Sequence, residues 1–264
     1  MDAVVTAGGI PQPGEPLYEF TQGQSKALLD IAGKPMIQWV LEALDGAASV
    51  QHVVVVGLGP ESGMSSKKLV TFLPNQGGMV DNIRTGVFKV LDFNPEAHHV
   101  LMVSSDIPGI TPQMVDWVIS AAMQTDQDVY YNVIPREEME KVFPESRRSF
   151  THLKGQDVCG GDMNIIRSSM VTSNEEIWQE LVASRKNVFK QAALIGYDTL
   201  FLLLLRRLTI DDAVKRVARR LNITGQAIVC PYAEVGMDVD KPHQLEMMRA
   251  YLERRKLEYG VAAH

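Results

Sequence analysis

Residues 2–9 read Asp-Ala-Val-Val-Thr-Ala-Gly-Gly, and residues 99–108 read His-Val-Leu-Met-Val-Ser-Ser-Asp-Ile-Pro. Each is a short apolar run that stops at small or acidic residues. Continuous runs of this length read as strands buried on both faces, as in a parallel sheet. A third run, Ala227-Ile228-Val229-Cys230, leads after a turn to Gly236-Met237-Asp238-Val239-Asp240-Lys241-Pro242. Strands are expected at 2–7, 52–57, 98–104 and 128–134, with helical patterns near 35–46, 79–92 and 112–124 between them. That alternation predicts βαβ units and a mainly parallel sheet in an α/β fold. Pro35 suits a first helical turn, and Thr111-Pro112 is a cap followed by proline at the first position.

The pattern changes after about residue 135. Residues 135–168 mix charges, short strands and a Gly160-Gly161 turn. Residues 174–222 read as three helical segments, 174–186, 188–206 and 209–221, the last opening at Thr209 with Asp211 and Asp212. A strand at 227–231 and a helix at 242–257 close the chain. No internal repeat or low-complexity linker divides it, so residues 1–264 are expected to form one domain. Within it, residues 136–226 make a distinct region with a helical elaboration at about 174–222.

Of 264 residues, 26 are basic and 32 acidic, a net charge of −6, and 45% are hydrophobic. This composition can bury a core. It argues against nucleic-acid binding through a basic field. Cys159 and Cys230 make neither a metal-spaced pair nor a disulfide framework, which fits a reducing, cytoplasmic setting. The N-terminus starts a strand with no basic leader. The run Leu200–Leu205 is far shorter than the roughly 20 residues that span a bilayer, and reads as a buried helix. The basic pairs Arg206-Arg207, Lys215-Arg216 and Arg219-Arg220 read as the outer face of packed helices.

The strand ends carry the chemistry. Glycine at 8 and 9 lets backbone N–H groups approach phosphates. Lys26, ahead of Ala27-Leu28-Leu29, offers a cation that could neutralise phosphates, its competing reading being a solvated surface lysine. Asp106 ends a strand where α/β enzymes place ligand-binding carboxylates. Asp238 and Asp240 have period-2 spacing, so in an extended segment they share one face. Hard oxygen ligands suit Mg²⁺, with Asp238 slightly favoured over Asp240 to join Asp106. The competing structural readings are a turn cap at Asp106 and a helix N-cap at Asp240. Gly77 and Gly78 allow close backbone approach, and Asn82 offers a donor and an acceptor to a base edge. Two patterns are set aside. Gly57-Leu58-Gly59 follows the second strand and lacks a third glycine opening a helix, and the P-loop pattern is absent.

The chain resembles the MobA-like NTP transferases, the nucleotidyltransferases related to molybdenum-cofactor guanylyltransferase and the sugar- or alcohol-phosphate cytidylyltransferases. The matching residues are the Thr6-Ala7-Gly8-Gly9 strand end, SKALLDIAGKPMIQWVLEAL at 25–44, GGMVDNIRTG at 77–86, SSDIPGITPQMVDWVI at 104–119 and VGMDVDKPHQLEMM at 235–248. The resemblance implies a three-layer α/β/α sheet related to the GT-A, nucleotide-diphospho-sugar transferase fold, with a helical insertion. It implies a first strand lying beside the one that ends at Asp106. It implies transfer of a nucleoside monophosphate from an NTP, CTP or GTP above all, to a phosphorylated small molecule, with Mg²⁺ or Mn²⁺ and release of pyrophosphate.

Under that resemblance, Lys26 and Asp106 are catalytic. Ala7, Gly8, Gly9, Lys26, Gly78, Asn82, Arg84 and Ser105 bind the nucleotide, and Asp106, Asp238 and Asp240 bind the metal. Arg147, Arg148, Lys154, Gly161, Asp162 and Asn164 hold the acceptor. A homodimer is compatible, with the Leu-rich helix buried either against the domain or against a second copy. The chain departs from the family in one place. The loop from Gly8 to Ser25 has no Arg or Lys before Lys26, where relatives carry a loop arginine, and holds Pro11, Pro13, Pro16, Glu15 and Glu19 instead. Two other classes stay open: a GT-A-like glycosyltransferase using a nucleotide sugar, and a non-catalytic nucleotide-binding scaffold.

Overall fold

The computed structural model describes residues 1–173 and 196–261. The strands are β1 (Asp2–Thr6), β2 (Asp30–Ile31), β3 (Lys34–Pro35), β4 (His52–Val56), β5 (Leu69–Leu73), β6 (His99–Ser104), β7 (Val129–Pro135), β8 (Thr151–Leu153), β9 (Gln156–Gly160), β10 (Met163–Arg167) and β11 (Gly225–Val229). The helices are α1 (Tyr18–Thr21), α2 (Met36–Gly46), α3 (Met79–Phe93), α4 (Pro112–Ala122), α5 (Arg136–Val142), α6 (Ser168–Ser173), α7 (Tyr197–Leu204), α8 (Ile210–Arg220) and α9 (Pro242–Val261).

The main sheet runs β5-β4-β1-β6-β10-β7-β9-β8, with β11 beside β7. The β5-β4-β1-β6 half is parallel throughout, in the register Val4 opposite Val54 and Met102. Antiparallel β10 separates β6 from β7, and β11 is parallel to β7.

Side-chain alternation assigns each central strand to two helical layers. Ala3, Val5, Val53, Val55, Leu101 and Val103 pack with α2, α4 and α9. Val4, Val54, Val56, Val100 and Met102 pack with Val87 and Val90 of α3 and Val171 of α6. This is the three-layer α/β/α arrangement expected. A smaller cluster joins Val133, Leu153 and Val158 to Leu208 and Ile210, with Leu202 and Leu203 of α7 against it.

Local chemistry sets the helix starts. The Thr111 hydroxyl accepts from Met114 N, with Pro112 in the first turn, and Thr209 forms a reciprocal capping box with Asp212. Met36 rather than Pro35 opens α2, with Pro35 in the preceding cap position.

Several expectations are corrected. The segment 135–168 contains the helix α5, whose charged Arg-Glu-Glu-Met-Glu-Lys sequence masked its single buried residue, Met139. The edge strand β5 was not expected, because its first residue, Leu69, is 64% exposed and its other residues are half-buried. The last strand lies two residues earlier than expected, and α9 runs on to Val261. The helix expected at 174–186 and the start of that at 188–206 lie outside the described residues, whereas α7 and α8 are helical. The Leu-rich run is only half-buried, with Phe201, Leu204 and Leu205 exposed. No helix of the described residues is long and apolar enough to cross a membrane.

Candidate active site

The carboxyl ends of β1 and β6 bring Gly8–Gly9 and Ser105–Asp106 to one edge of the sheet, with Ser105 N donating to Thr6 O at 3.1 Å. The long loop after β1 is pinned at its two ends. Lys26 N donates to Gly9 O at 2.9 Å, and the Ser25 hydroxyl donates to Ala7 O at 2.9 Å. Between these pins the loop forms α1 and, with Lys26, Asp240 and Lys241, walls a cavity of about 480 Å³.

Gly8 is enclosed by asparagines. Asn75 Nδ2 donates to Gly8 O at 3.0 Å, and a Cβ on Gly8 would lie 2.6 Å from Asn82 Nδ2. Gly57 has φ +117°, and a Cβ there would lie 2.3 Å from Gly8 N. Gly57 of the rejected dinucleotide pattern thus serves close packing against the β1 loop, whereas a Cβ on Gly59 would meet the Glu61 carboxylate, and a 3₁₀ turn at Pro60–Ser62 follows them.

Asn82 is buried with both ends of its amide engaged. Its Oδ1 accepts from Gln76 N at 2.8 Å and its Nδ2 donates to Asn75 Oδ1 at 3.1 Å. It braces the Gly8 turn in the free chain, so the donor and acceptor expected to serve a base edge are engaged within the chain. Gly78 sits at the cap of α3, and the Arg84 guanidinium lies 5.5 Å from the Phe88 ring centre. Asn75 was not singled out from sequence. Its signal was the Pro74-Asn75-Gln76-Gly77-Gly78 turn directly before α3.

The acidic half of the site comes from distant segments. Val239 N donates to Asp106 O at 2.9 Å, which fixes the Asp238–Asp240 segment beside β6. Asp106, Asp238 and Asp240 each bring one carboxylate oxygen within 4.8 Å of the others. Asp240 does not cap α9 with its side chain. Its Oδ1 lies 2.5 Å from Lys26 Nζ, and Asp106 Oδ2 lies 2.6 Å from the same ammonium. Burial lowers the Lys26 pKa, but Asp106 and Asp240 outweigh it and hold the ammonium above its ordinary range.

Asp162 joins the cluster through a bulge. Gly160 lies opposite Val133 and Ile165 opposite Tyr130, so the β9–β10 run carries two more residues than β7 over that span. The extra residues are Gly161 and Asp162, whose N–H groups donate to Asn132 O and Val235 O. Asn164 supports the bulge, donating to Gly161 O at 2.9 Å and accepting from Asn132 N at 2.8 Å. In the free chain its amide is therefore engaged in bracing the bulge. Burial and then the like charge of Asp106 push Asp162 up to about 7, against the pull of Arg148.

Of the expected basic cluster only Arg148 enters. Its Nη1 pairs with Asp238, and its Nη2 donates to Gly160 O at 3.3 Å with Asp162 Oδ2 at 3.8 Å. Arg147, at φ +51°, is exposed. Lys154 is exposed and lines a separate cavity with Arg136, Glu137, Glu140 and Arg206. The assembled site therefore sets four carboxylates against two cations, Lys26 and Arg148, beside a glycine turn. Such an arrangement can hold a divalent cation and two anionic groups.

The family model described as the MobA-like NTP transferase domain matches residues 3–224. A hypothetical transferase from Thermus thermophilus is 32% identical, with TM-score 0.79, and the match covers 92% of this chain and 98% of that one. A CMP:2-keto-3-deoxy-manno-octonic acid synthetase complexed with CTP has TM-score 0.60 at 18% identity, covering 96% and 99%. A 4-diphosphocytidyl-2C-methyl-D-erythritol synthase from Anaerococcus prevotii DSM 20548 has TM-score 0.59 at 10% identity, covering 96% of each chain. The last two are likenesses of fold. No curated protein matches the chain significantly.

Proposed function

The chain belongs to the MobA-like NTP transferase family, and from that premise we propose a specific reaction for this nucleotidyltransferase. It transfers a nucleoside monophosphate from an NTP to the phosphate of a small-molecule acceptor and releases pyrophosphate. The observation that carries this reading is the convergence of Asp106, Asp238 and Asp240, beside the Gly8–Gly9 turn, with oxygens within 4.8 Å of one another. These residues fit Mg²⁺ or Mn²⁺. All are hard carboxylate donors, and Asp106 Oδ1 is buried without a hydrogen-bond partner. A bound Mg²⁺ supplies charge neutralisation to the phosphates and polarises the α-phosphoryl group.

The chain's own residues do the rest. Backbone N–H groups of Gly8 and Gly9 face the phosphates, and Gly77–Gly78 with the start of α3 border the base. Lys26 turns from its carboxylates to the triphosphate and holds charge on the departing pyrophosphate. An oxygen of the acceptor phosphate forms the new bond to the α-phosphorus. The bond from that phosphorus to the α–β bridging oxygen breaks, and its electron pair leaves with pyrophosphate. No covalent protein intermediate is required, because positioning and charge neutralisation supply the rate. The CTP-bound synthetase and the diphosphocytidyl synthase among the fold relatives support CTP as the nucleotide.

The test is pyrophosphate release from each of the four NTPs with Mg²⁺ across a panel of phosphomonoesters, for the wild type and Asp106→Ala. Metal-dependent release with CTP, abolished in Asp106→Ala, is expected. Retained turnover in that variant refutes the assignment. Turnover of a nucleotide sugar without pyrophosphate points to a glycosyltransferase instead.

A further inference from the structure

The three proposed metal ligands are all paired with cations of the chain itself. Lys26 bridges Asp106 and Asp240, and Arg148 holds Asp238. We propose that Arg148 is an exchangeable counter-ion of Asp238: metal entry displaces it, and the released guanidinium takes the acceptor phosphate. This rests on the metal reading given above.

The surroundings of Arg148 favour exchange over a permanent structural pair. Its side chain is 16% exposed, yet Nε is buried without a hydrogen-bond partner. A buried donor left unmade is costly, so the pairing with Asp238 leaves the guanidinium incompletely satisfied. The planar Nε–Nη edge matches two oxygens of a phosphate, which a single carboxylate contact at Nη1 does not use. Asp162 Oδ2, 3.8 Å from Nη2, is likewise buried with no hydrogen-bond partner.

The backbone presents Arg148 to this place deliberately. Arg147 takes the left-handed conformation at φ +51°, which separates two adjacent arginines into one exposed and one inward. Ser146 O accepts from Gln244 Nε2 at 3.3 Å, and Gln244 Oε1 accepts from Asp240 N at 3.0 Å. The segment that carries Arg148 is therefore tied to the segment that carries Asp238 and Asp240.

The charge count gives the exchange a direction. Before metal enters, four aspartates face any incoming phosphate, and both nearby cations are already paired. A divalent ion on Asp238 removes the partner of Arg148 and part of the repulsion together. The metal then binds first and the acceptor phosphate second.

Two readouts test this without the acceptor. In Mn²⁺ titrations followed by the electron paramagnetic resonance of free Mn²⁺, Arg148→Gln is expected to bind about tenfold more tightly, as it would if the metal-ready state were a tenth of the population. In an Asp238→Asn background the same substitution is expected to give no gain, which separates exchange at this carboxylate from a general field effect of the arginine. In the unaltered protein, phenylglyoxal labelling of Arg148, mapped by peptide mass spectrometry, is expected to rise several-fold with Mg²⁺, with no rise at Arg147. Unchanged or weaker Mn²⁺ binding in Arg148→Gln, a gain that persists in Asp238→Asn, or labelling indifferent to Mg²⁺ overturns the exchange and leaves the metal site standing. Absence of Mn²⁺ binding by the wild type overturns the metal reading and the exchange with it.

Discussion

Gly57→Ala is a substitution outside the aspartate cluster that should reach it through the backbone. The methyl group would lie 2.3 Å from Gly8 N and 2.5 Å from Ala7 C and Gly8 Cα. Carbon contacts settle at about 3.5–4.0 Å, so the β1 and β4 ends must part by roughly 1 Å. The atoms that must move are main chain, which no rotamer change relieves. The φ of +117° adds conformational strain of about 1–3 kcal/mol, and overpacking adds about 1–3 kcal/mol more. A loss of about 2–6 kcal/mol of unfolding free energy is expected from these two sources together. A shift of about 1 Å at the turn proposed to face the phosphates is expected to lower turnover by about a hundredfold.

Gly63→Ala is the control. Gly63 also has positive φ, at +72°, but a Cβ there meets nothing within 4 Å. It should lose about 1 kcal/mol, the left-handed penalty alone, with turnover unchanged. Urea unfolding and pyrophosphate release on both variants read the comparison. Equal stability and equal turnover in the two would refute the argument that Gly57 is required by close approach to Gly8.

Lys26→Gln removes the ammonium that bridges Asp106 and Asp240, and steady-state assay of pyrophosphate release should show turnover lowered by about 10²–10³-fold. Near-normal turnover would move the triphosphate contact elsewhere. Asp116 accepts from Ser49 N at 2.8 Å and Ala48 N at 3.1 Å. Burial alone raises its pKa, but these bonds outweigh burial and hold it below the usual carboxylate range. A depressed carboxylate contributes stability that is present above its unfolded pKa and is lost as pH falls through its folded one. The Tm gap between wild type and Asp116→Asn should therefore be present at neutral pH and close as acid protonates the depressed carboxylate. A gap that is constant with pH would show that the charge of Asp116 contributes nothing.

What the sequence determined alone is the frame and the strand ends. The valine-rich runs at β1, β4 and β6 are buried on both faces, so composition identified them as central parallel strands, and Gly8 and Asp106 followed as residues at their carboxyl ends. Thr111 and Thr209 were legible because a cap acts within three residues. Edge strand β5 and the charged α5 were not, because burial signals fade where an element has one half-exposed face.

Tertiary structure decided how the site residues are used. Lys26 and Asp240 are 214 positions apart, and nothing local to either specifies their pairing. Asn82 and Asn164 carry the right chemistry for ligand contact, but packing placed donors and acceptors of the chain against them first. Arg147 and Arg148 are equivalent in sequence, and one left-handed φ sends only the second among the aspartates. The physical reason is range. Periodicity and capping are set by neighbours along the chain, whereas ion pairs, bulges and the pKa of Asp162 depend on which distant groups the closed fold brings into contact.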